Sequence, residues 1–191
     1  MRIIIQAVRE RADLVGELLE ALPHSEVVWD SKKNAMNTFL KSLKVVGSGP
    51  ALHLEDDIIL TSDFGAKVSE ALVRSRAEGA KRGIADPLVQ FFSMRKADVE
   101  VGSRWDRSFM MKQCWYCPAG YADALRAFFP LWFPKHGSRI NTGGQDALMA
   151  AYLKARKIPY WIHCPSLVDH RVGKSMIGPR SSKRQSKTFA P

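Results

Sequence analysis

At 191 residues the chain is long enough for one domain with its own core, held without disulfides or a structural metal, and too short for a second catalytic domain. A composition of 46% hydrophobic and 25% charged residues excludes disordered and collagen-like chains, and no apolar run approaches the ~20 residues that a membrane span needs. The 29 basic residues against 19 acidic ones leave a net charge of +10, which favours a polyanionic partner. Met1-Arg2-Ile3-Ile4-Ile5-Gln6 turns polar too soon for a secretory leader, and three cysteines, an odd number, fit a reducing compartment. The expected location is the cytoplasm, away from any membrane.

In chain order, Arg2 to Val8 reads as a buried strand. Leu14, Val15, Leu18, Leu19 and Leu22 then recur at helical spacing up to Pro23. Val27-Val28-Trp29 is a second strand, and Met36, Phe39, Leu40 and Leu43 mark a second helix that ends in the turn Gly47-Ser48-Gly49-Pro50. Ala51-Leu52-His53-Leu54 is a third strand running into Glu55-Asp56-Asp57. Asp63 is placed to cap a helix with Phe64, Val68, Ala71 and Leu72 on its inner face. Leu88 to Phe92 reads as a fourth strand, Arg95 to Lys112 as loop and edge, and residues 115–133 as a helix with an aromatic end. Gly143-Gly144 precedes a helix carrying Leu148, Ala151, Tyr152 and Ala155, and Tyr160-Trp161-Ile162 is expected as the last strand. Strands alternating with helices predict an α/β fold, with a Rossmann-like mixed sheet flanked by helices. The predicted domain covers residues 1–175. Residues 176–191 form a basic tail, and from Arg171 onward there are six basic residues and no acidic one.

Three adjacent carboxylates after an apolar strand raise one another's pKa unless something positive meets them. A divalent ion such as Mn²⁺ or Mg²⁺ can do so, and ligands collect at the carboxyl ends of strands in open α/β sheets, where Glu55 to Asp57 fall. A solvated acidic turn is the plainer reading. His170, in Pro165-Ser-Leu-Val-Asp-His170, can complete a metal site or be an ordinary loop histidine. Lys174 or Arg180 beyond it can neutralise a diphosphate. Asp146 stands in the first turn of its helix, where the helix dipole favours a carboxylate in any case.

Taken together and in order, Ala51-Leu-His-Leu-Glu-Asp-Asp-Ile58 with Asp63-Phe64, Gly144-Gln-Asp146 and Pro165-Ser-Leu-Val-Asp-His170 with Gly173-Lys-Ser175 resemble a small glycosyltransferase of the A-type, the nucleotide-diphosphosugar-transferase fold. The resemblance implies a single catalytic domain that moves a sugar from a nucleotide-diphosphosugar, a UDP-sugar first, to an acceptor hydroxyl. It assigns Asp57 and His170 to the metal, Mn²⁺ or Mg²⁺, and puts Glu55 or Asp56 on the ribose or beside the metal. Arg9 and Arg11 fall where the family holds the nucleotide, Lys174 and Arg180 beside the diphosphate, and Asp146 where inverting members take the acceptor's proton. The first acid of the family's Asp-any-Asp motif is Glu here. Inverting and retaining transfer both stay open.

The acceptor suggested by the charge is DNA, phage DNA with a hydroxymethylated base, which base flipping would expose. Arg74, Arg76, Lys81, Arg82, Arg95, Lys96, Arg104 and Arg107 supply further charge, and Trp105 and Trp115 are expected to stack on a base. A saccharide or lipopolysaccharide acceptor is the alternative, and a metal-dependent nuclease or a non-enzymatic DNA-binding module are alternatives of other classes. Cys114-Trp-Tyr-Cys117 has the spacing of half a zinc site. His163 and Cys164, being adjacent, are poorly disposed to complete it, so the two sulfurs are expected in a strand as small apolar groups.

Overall fold

The computed structural model describes residues 1–136, 144–172 and 184–191. The N-terminal apolar run forms β1 (Arg2–Val8), and a 3-10 turn over Arg9–Arg11 leads into α1 (Ala12–Ala21). β2 (Ser25–Asp30) is followed by α2 (Ala35–Val46), whose first turn is capped by Asn34, the side chain accepting from the Asn37 N–H at 3.0 Å. Then come β3 (Ala51–Glu55), β4 (Ile58–Leu60), α3 (Phe64–Ala80) and β5 (Val89–Gln90). They are followed by α4 (Ala97–Val101), β6 (Arg104–Asp106), β7 (Cys114–Cys117) and α5 (Tyr121–His136). The last elements are α6 (Gly144–Arg156), β8 (Tyr160–Ile162) and β9 (Val168–His170).

Among the described residues seven strands form one mixed sheet in the order β2-β1-β3-β7-β5-β8-β6. β1 runs parallel to β2 and β3, β7 runs antiparallel to β3 and β5, β5 parallel to β8, and β6 antiparallel to β8 at the edge. Side chains alternate across each strand. Ile4, Ala51, Trp115 and Cys117 join the core under α2, α5 and α6, while Ile5, Leu52, Leu54 and Tyr116 join the core under α1 and α3. The chain is therefore α/β, with a mixed sheet flanked by helices on both faces, compatible with a Rossmann-like arrangement. A separate ribbon pairs β4 with β9 antiparallel, Ile58 opposite His170.

Several expectations change. Cys114 to Cys117 is strand, as expected for the two sulfurs, but the helix expected from 115 begins only at Tyr121 and continues through Pro130 and Pro134. A spacing of three in a strand turns the sulfurs to opposite faces, so Cys114 sits in one core and Cys117 in the other, both buried and unbonded. Trp115 cannot stack on a base, because it is fully buried with its ring stacked on His53 at 4.4 Å. Trp105 is half-buried, edge-on to Trp161, with the Arg82 guanidinium 5.4 Å over its ring. Arg95 and Arg104 pair with Asp106, and Arg104 also with the buried Asp98 at 2.6 Å, so they hold α4 and β6 to the sheet edge. Asp63 stands before α3 with φ +52°, and its side chain makes no capping hydrogen bond. The strand at Leu88 shrinks to Val89–Gln90, and β9 follows the strand expected to be last.

Two glycines offer a direct check on this packing. A Cβ at Gly79 would lie 2.2 Å from the Ile84 carbonyl oxygen, which is backbone and cannot yield, whereas a Cβ at Gly16 in α1 meets nothing within 4 Å. Gly79→Ala is expected to cost about 1–3 kcal/mol and Gly16→Ala to add about 0.5–1 kcal/mol, read as opposite shifts of the urea midpoint.

Candidate functional site

The carboxyl ends of the parallel strands β1 and β3 meet at one edge, where Gln6 lies in register with Glu55 and Val8 with Asp30 of β2. The end of β3 divides the acidic trio at this edge, since Glu55 is its last residue and Asp56 and Asp57 form the turn that follows. Glu55 shares the face of His53 and Ala51, toward α6, whereas Asp56 and Asp57 turn toward Arg11 and the ribbon.

Asp56 is buried with both oxygens engaged. The Val8 N–H donates to Oδ2 at 2.7 Å and the Arg11 guanidinium to Oδ1 at 2.7 Å. Burial pushes its pKa upward, against these two donors. Asp56 thus clamps the end of β1 to the turn after β3.

Asp57 is brought to His170 by the ribbon. Pairing Ile58 with His170 sets the imidazole beside the preceding carboxylate, and His170 Nε2 lies 3.2 Å from Asp57 Oδ2. Arg11 reaches the same oxygen at 2.6 Å. The Arg171 N–H donates to the Asp57 carbonyl at 2.8 Å, locking the crossing. Burial works against the charge on Asp57 most strongly, but the His170 hydrogen bond and the charges of His170 and Arg11 together hold it below the usual carboxylate range. The same hydrogen bond raises the pKa of His170. Asp57 Oδ1 is buried with no hydrogen-bond partner among the described residues.

That orphaned oxygen beside an imidazole nitrogen is a donor pair a divalent cation can use. Among the described residues no group of three or more His, Cys, Asp or Glu converges, so an ion here would complete its shell with water and ligand phosphates. Arg11, expected at the nucleotide, reaches Asp56 and Asp57, and the guanidinium of Arg9, also expected there, lies 4.3 Å over the ring of Trp29. Lys174 and Arg180 lie outside the described residues.

On the α6 side, the Lys112 N–H donates to Asp146 Oδ1 at 3.1 Å, and its buried ammonium donates to Glu55 at 2.8 Å and to Gln6 at 3.3 Å. Desolvation raises the Asp146 pKa to about 6, with Lys112 and Arg184 pulling it down and Glu55 pushing it up. Sequence reasoning missed Lys112 and Gln6. Gln6 does leave a signal, a polar residue inside a buried Ile-Ile-Ile run, while Lys112 lies in a stretch without pattern.

The C-terminal segment closes over the ribbon. Ser186 donates its N–H to Asp169 at 2.7 Å, Thr188 accepts from the Ser166 N–H at 3.0 Å, and Thr61 donates to the Ala190 carbonyl at 2.9 Å. Comparison with protein-family models and with curated proteins gives no match.

Two expectations follow for stability. Asp56→Ala leaves the Val8 N–H without its acceptor and takes one of two carboxylates from the part-buried Arg11 guanidinium, which keeps Asp57, and is expected to cost about 1–3 kcal/mol in urea unfolding. Asp146 has a folded pKa near 6 against 3.8 for the free side chain, so its contribution to stability is full below 3.8 and is lost as pH rises through about 6. Asp146→Asn keeps the acceptor for the Lys112 N–H, and should therefore melt higher than the parent at about pH 8, by on the order of 1–3 kcal/mol, with no gain near pH 4.

Proposed function

We propose that the chain is a metal-dependent glycosyltransferase that moves a sugar from a nucleotide-diphosphosugar to an acceptor hydroxyl. The observation that carries this reading is the contact of Asp57 with His170 at the carboxyl ends of the parallel strands, an unpartnered carboxylate oxygen beside it. The ordered strings that resemble an A-type glycosyltransferase support it, since Asp57, Asp146 and His170 come from three distant parts of the chain and lie at this edge.

In this reading Asp57 and His170 hold the ion, the mixed oxygen and nitrogen pair favouring Mn²⁺ over Mg²⁺. When bound, such an ion offsets the negative charge that grows on a departing diphosphate. Arg11 sets the charge balance around Asp56 and Asp57 and holds both carboxylates in place. Asp146, buried enough to be a stronger base than an exposed aspartate, takes the proton of the acceptor hydroxyl, which makes the transfer inverting. A UDP-sugar is the first donor to try, with Lys174 and Arg180 as the expected diphosphate contacts.

We further propose DNA as acceptor. Support comes from the charge of +10 and from a groove of about 640 Å³ between α2 and α5, lined by Lys41, Lys44, Arg126, Leu40 and Phe129, where cations stand beside an aromatic ring. Arg126 shares its charge with Asp123 at 3.2 Å.

The test is a thermal-shift panel of nucleotide sugars with and without Mn²⁺. The matching donor at about a hundredfold excess over Kd should add roughly 5–10 °C, only with Mn²⁺, and Asp57→Asn should abolish the shift while leaving the unliganded melt within a few degrees. Mass measurement of hydroxymethylated DNA after incubation then reads transfer. A panel with no Mn²⁺-dependent shift would sink the transferase, and cleavage of DNA with Mg²⁺ and no donor would replace it with a nuclease.

A further inference from the structure

Buried lysines are rare unless each of their donors finds a partner, because stripping water from an ammonium is expensive. Lys112 is 3% exposed and lies at the centre of a polar cluster with Gln6, Glu55 and Asp146. Its ammonium is held by two strands at once. Gln6 and Glu55 are register partners on β1 and β3, their side chains emerge on the same face, and the Lys112 Nζ lies 3.3 Å from one and 2.8 Å from the other. The Phe39 ring of α2 packs below it, 5.4 Å from the ammonium. The backbone of the same residue reaches α6, where its N–H holds Asp146 Oδ1 at 3.1 Å. The second oxygen of Asp146 has no hydrogen-bond partner among the described residues.

One residue thus ties the base candidate on α6 to the strand ends. We propose that Lys112 is the positioning residue of this site: its N–H fixes one oxygen of Asp146, and its clamped ammonium favours the charged carboxylate, leaving the other oxygen to take a proton from the acceptor hydroxyl. The catalytic meaning of this arrangement rests on the transferase reading, whereas the coupling of Lys112 to Asp146 does not.

The charged groups around Asp146 come from three elements. Lys112 precedes β7, Glu55 ends β3, and Arg184 belongs to the C-terminal segment. Lys112 and Arg184 favour the ionised carboxylate and Glu55 opposes it, while burial raises the whole curve. Arg184 is solvent-accessible and Lys112 is not, so the lysine's charge is the less screened of the two.

The experiment follows the Asp146 carboxyl directly, by NMR of the full chain labelled at the aspartate carboxyl carbon, with the resonance identified by its loss in Asp146→Asn. Lys112→Met is expected to move the titration midpoint up by about half a pH unit or more. Lys112→Gln, whose amide keeps hydrogen bonds to Glu55 and Gln6 without the charge, should do the same and covers the case in which Met fails to fold. Lys112→Arg should hold the midpoint near the parent's. A midpoint that stays put in both neutral variants, or that moves as far in Arg as in Gln, overturns the proposal. Because the titration needs no donor, metal or acceptor, it stands whether or not sugar transfer is found. With transfer in hand, the acidic limb of kcat/KM should shift in parallel in Lys112→Gln and return in Lys112→Arg, and a fall in kcat with an unmoved limb would reduce Lys112 to a packing role.

Discussion

Carboxylates withdrawn from water must be answered by cations or donors, and the strand-end region of this protein is organised by that requirement. Glu55, Asp56 and Asp57 follow one another where the sheet leaves little solvent, and each receives a different answer. Lys112 meets Glu55, Arg11 and the Val8 N–H meet Asp56, and His170 with Arg11 meets Asp57. Each answering group comes from a distant stretch of sequence, so satisfying the trio draws the first strand, the segment before β7 and the β9 region to a single edge. The elements that would have to cooperate in catalysis are assembled by charge compensation.

The turn that follows β3 gives this edge two sides. Glu55 continues the alternation of Ala51 and His53 toward α6, and Asp56 and Asp57 leave on the side of α1 and the ribbon. In the proposed transfer the diphosphate would lie on the Asp57 side and the proton acceptor on the Asp146 side. Glu55 belongs to both sides, since it is held by Lys112 and its charge acts on Asp146 and on His170.

Much of the fold was legible in the sequence, for reasons the structure makes physical. β1, α1, α2 and α3 have long apolar periodicities, and their inner faces, Val15 and Leu18, Phe39 and Leu43, Val68 and Leu72, are buried as the spacing predicts. β4, β6 and β9 are three residues each, too short for any period to declare itself, and β9 depends on a partner more than a hundred positions away in sequence. Trp115 misled because aromatic residues in a basic chain look exposed until the strand that buries them is recognised. At the site, Asp57, His170 and Asp146 could be singled out by residue type and neighbours. Lys112 could not, because a lysine becomes informative only when three-dimensional burial removes its water. The different partners of Arg9 and Arg11 likewise depend on one turn of 3-10 helix that no pattern announces.

The ribbon of β4 and β9 is a three-residue, two-stranded element outside the main sheet, and such ribbons are marginal by themselves. Its surroundings brace it through the hydrogen bonds from Ser186 to Asp169 and from Thr61 to Ala190, and through the Arg171 side chain, which reaches Glu17 on α1. The closeness of the imidazole to its carboxylate therefore has the local opening energy of this braced ribbon, not the global energy of the seven-stranded sheet. Fraying at the far C-terminal end would remove the braces on Asp169 and Thr61 and slacken that pair, while Ile58 and Val168 of the same ribbon stay packed in the core under α1 and α3.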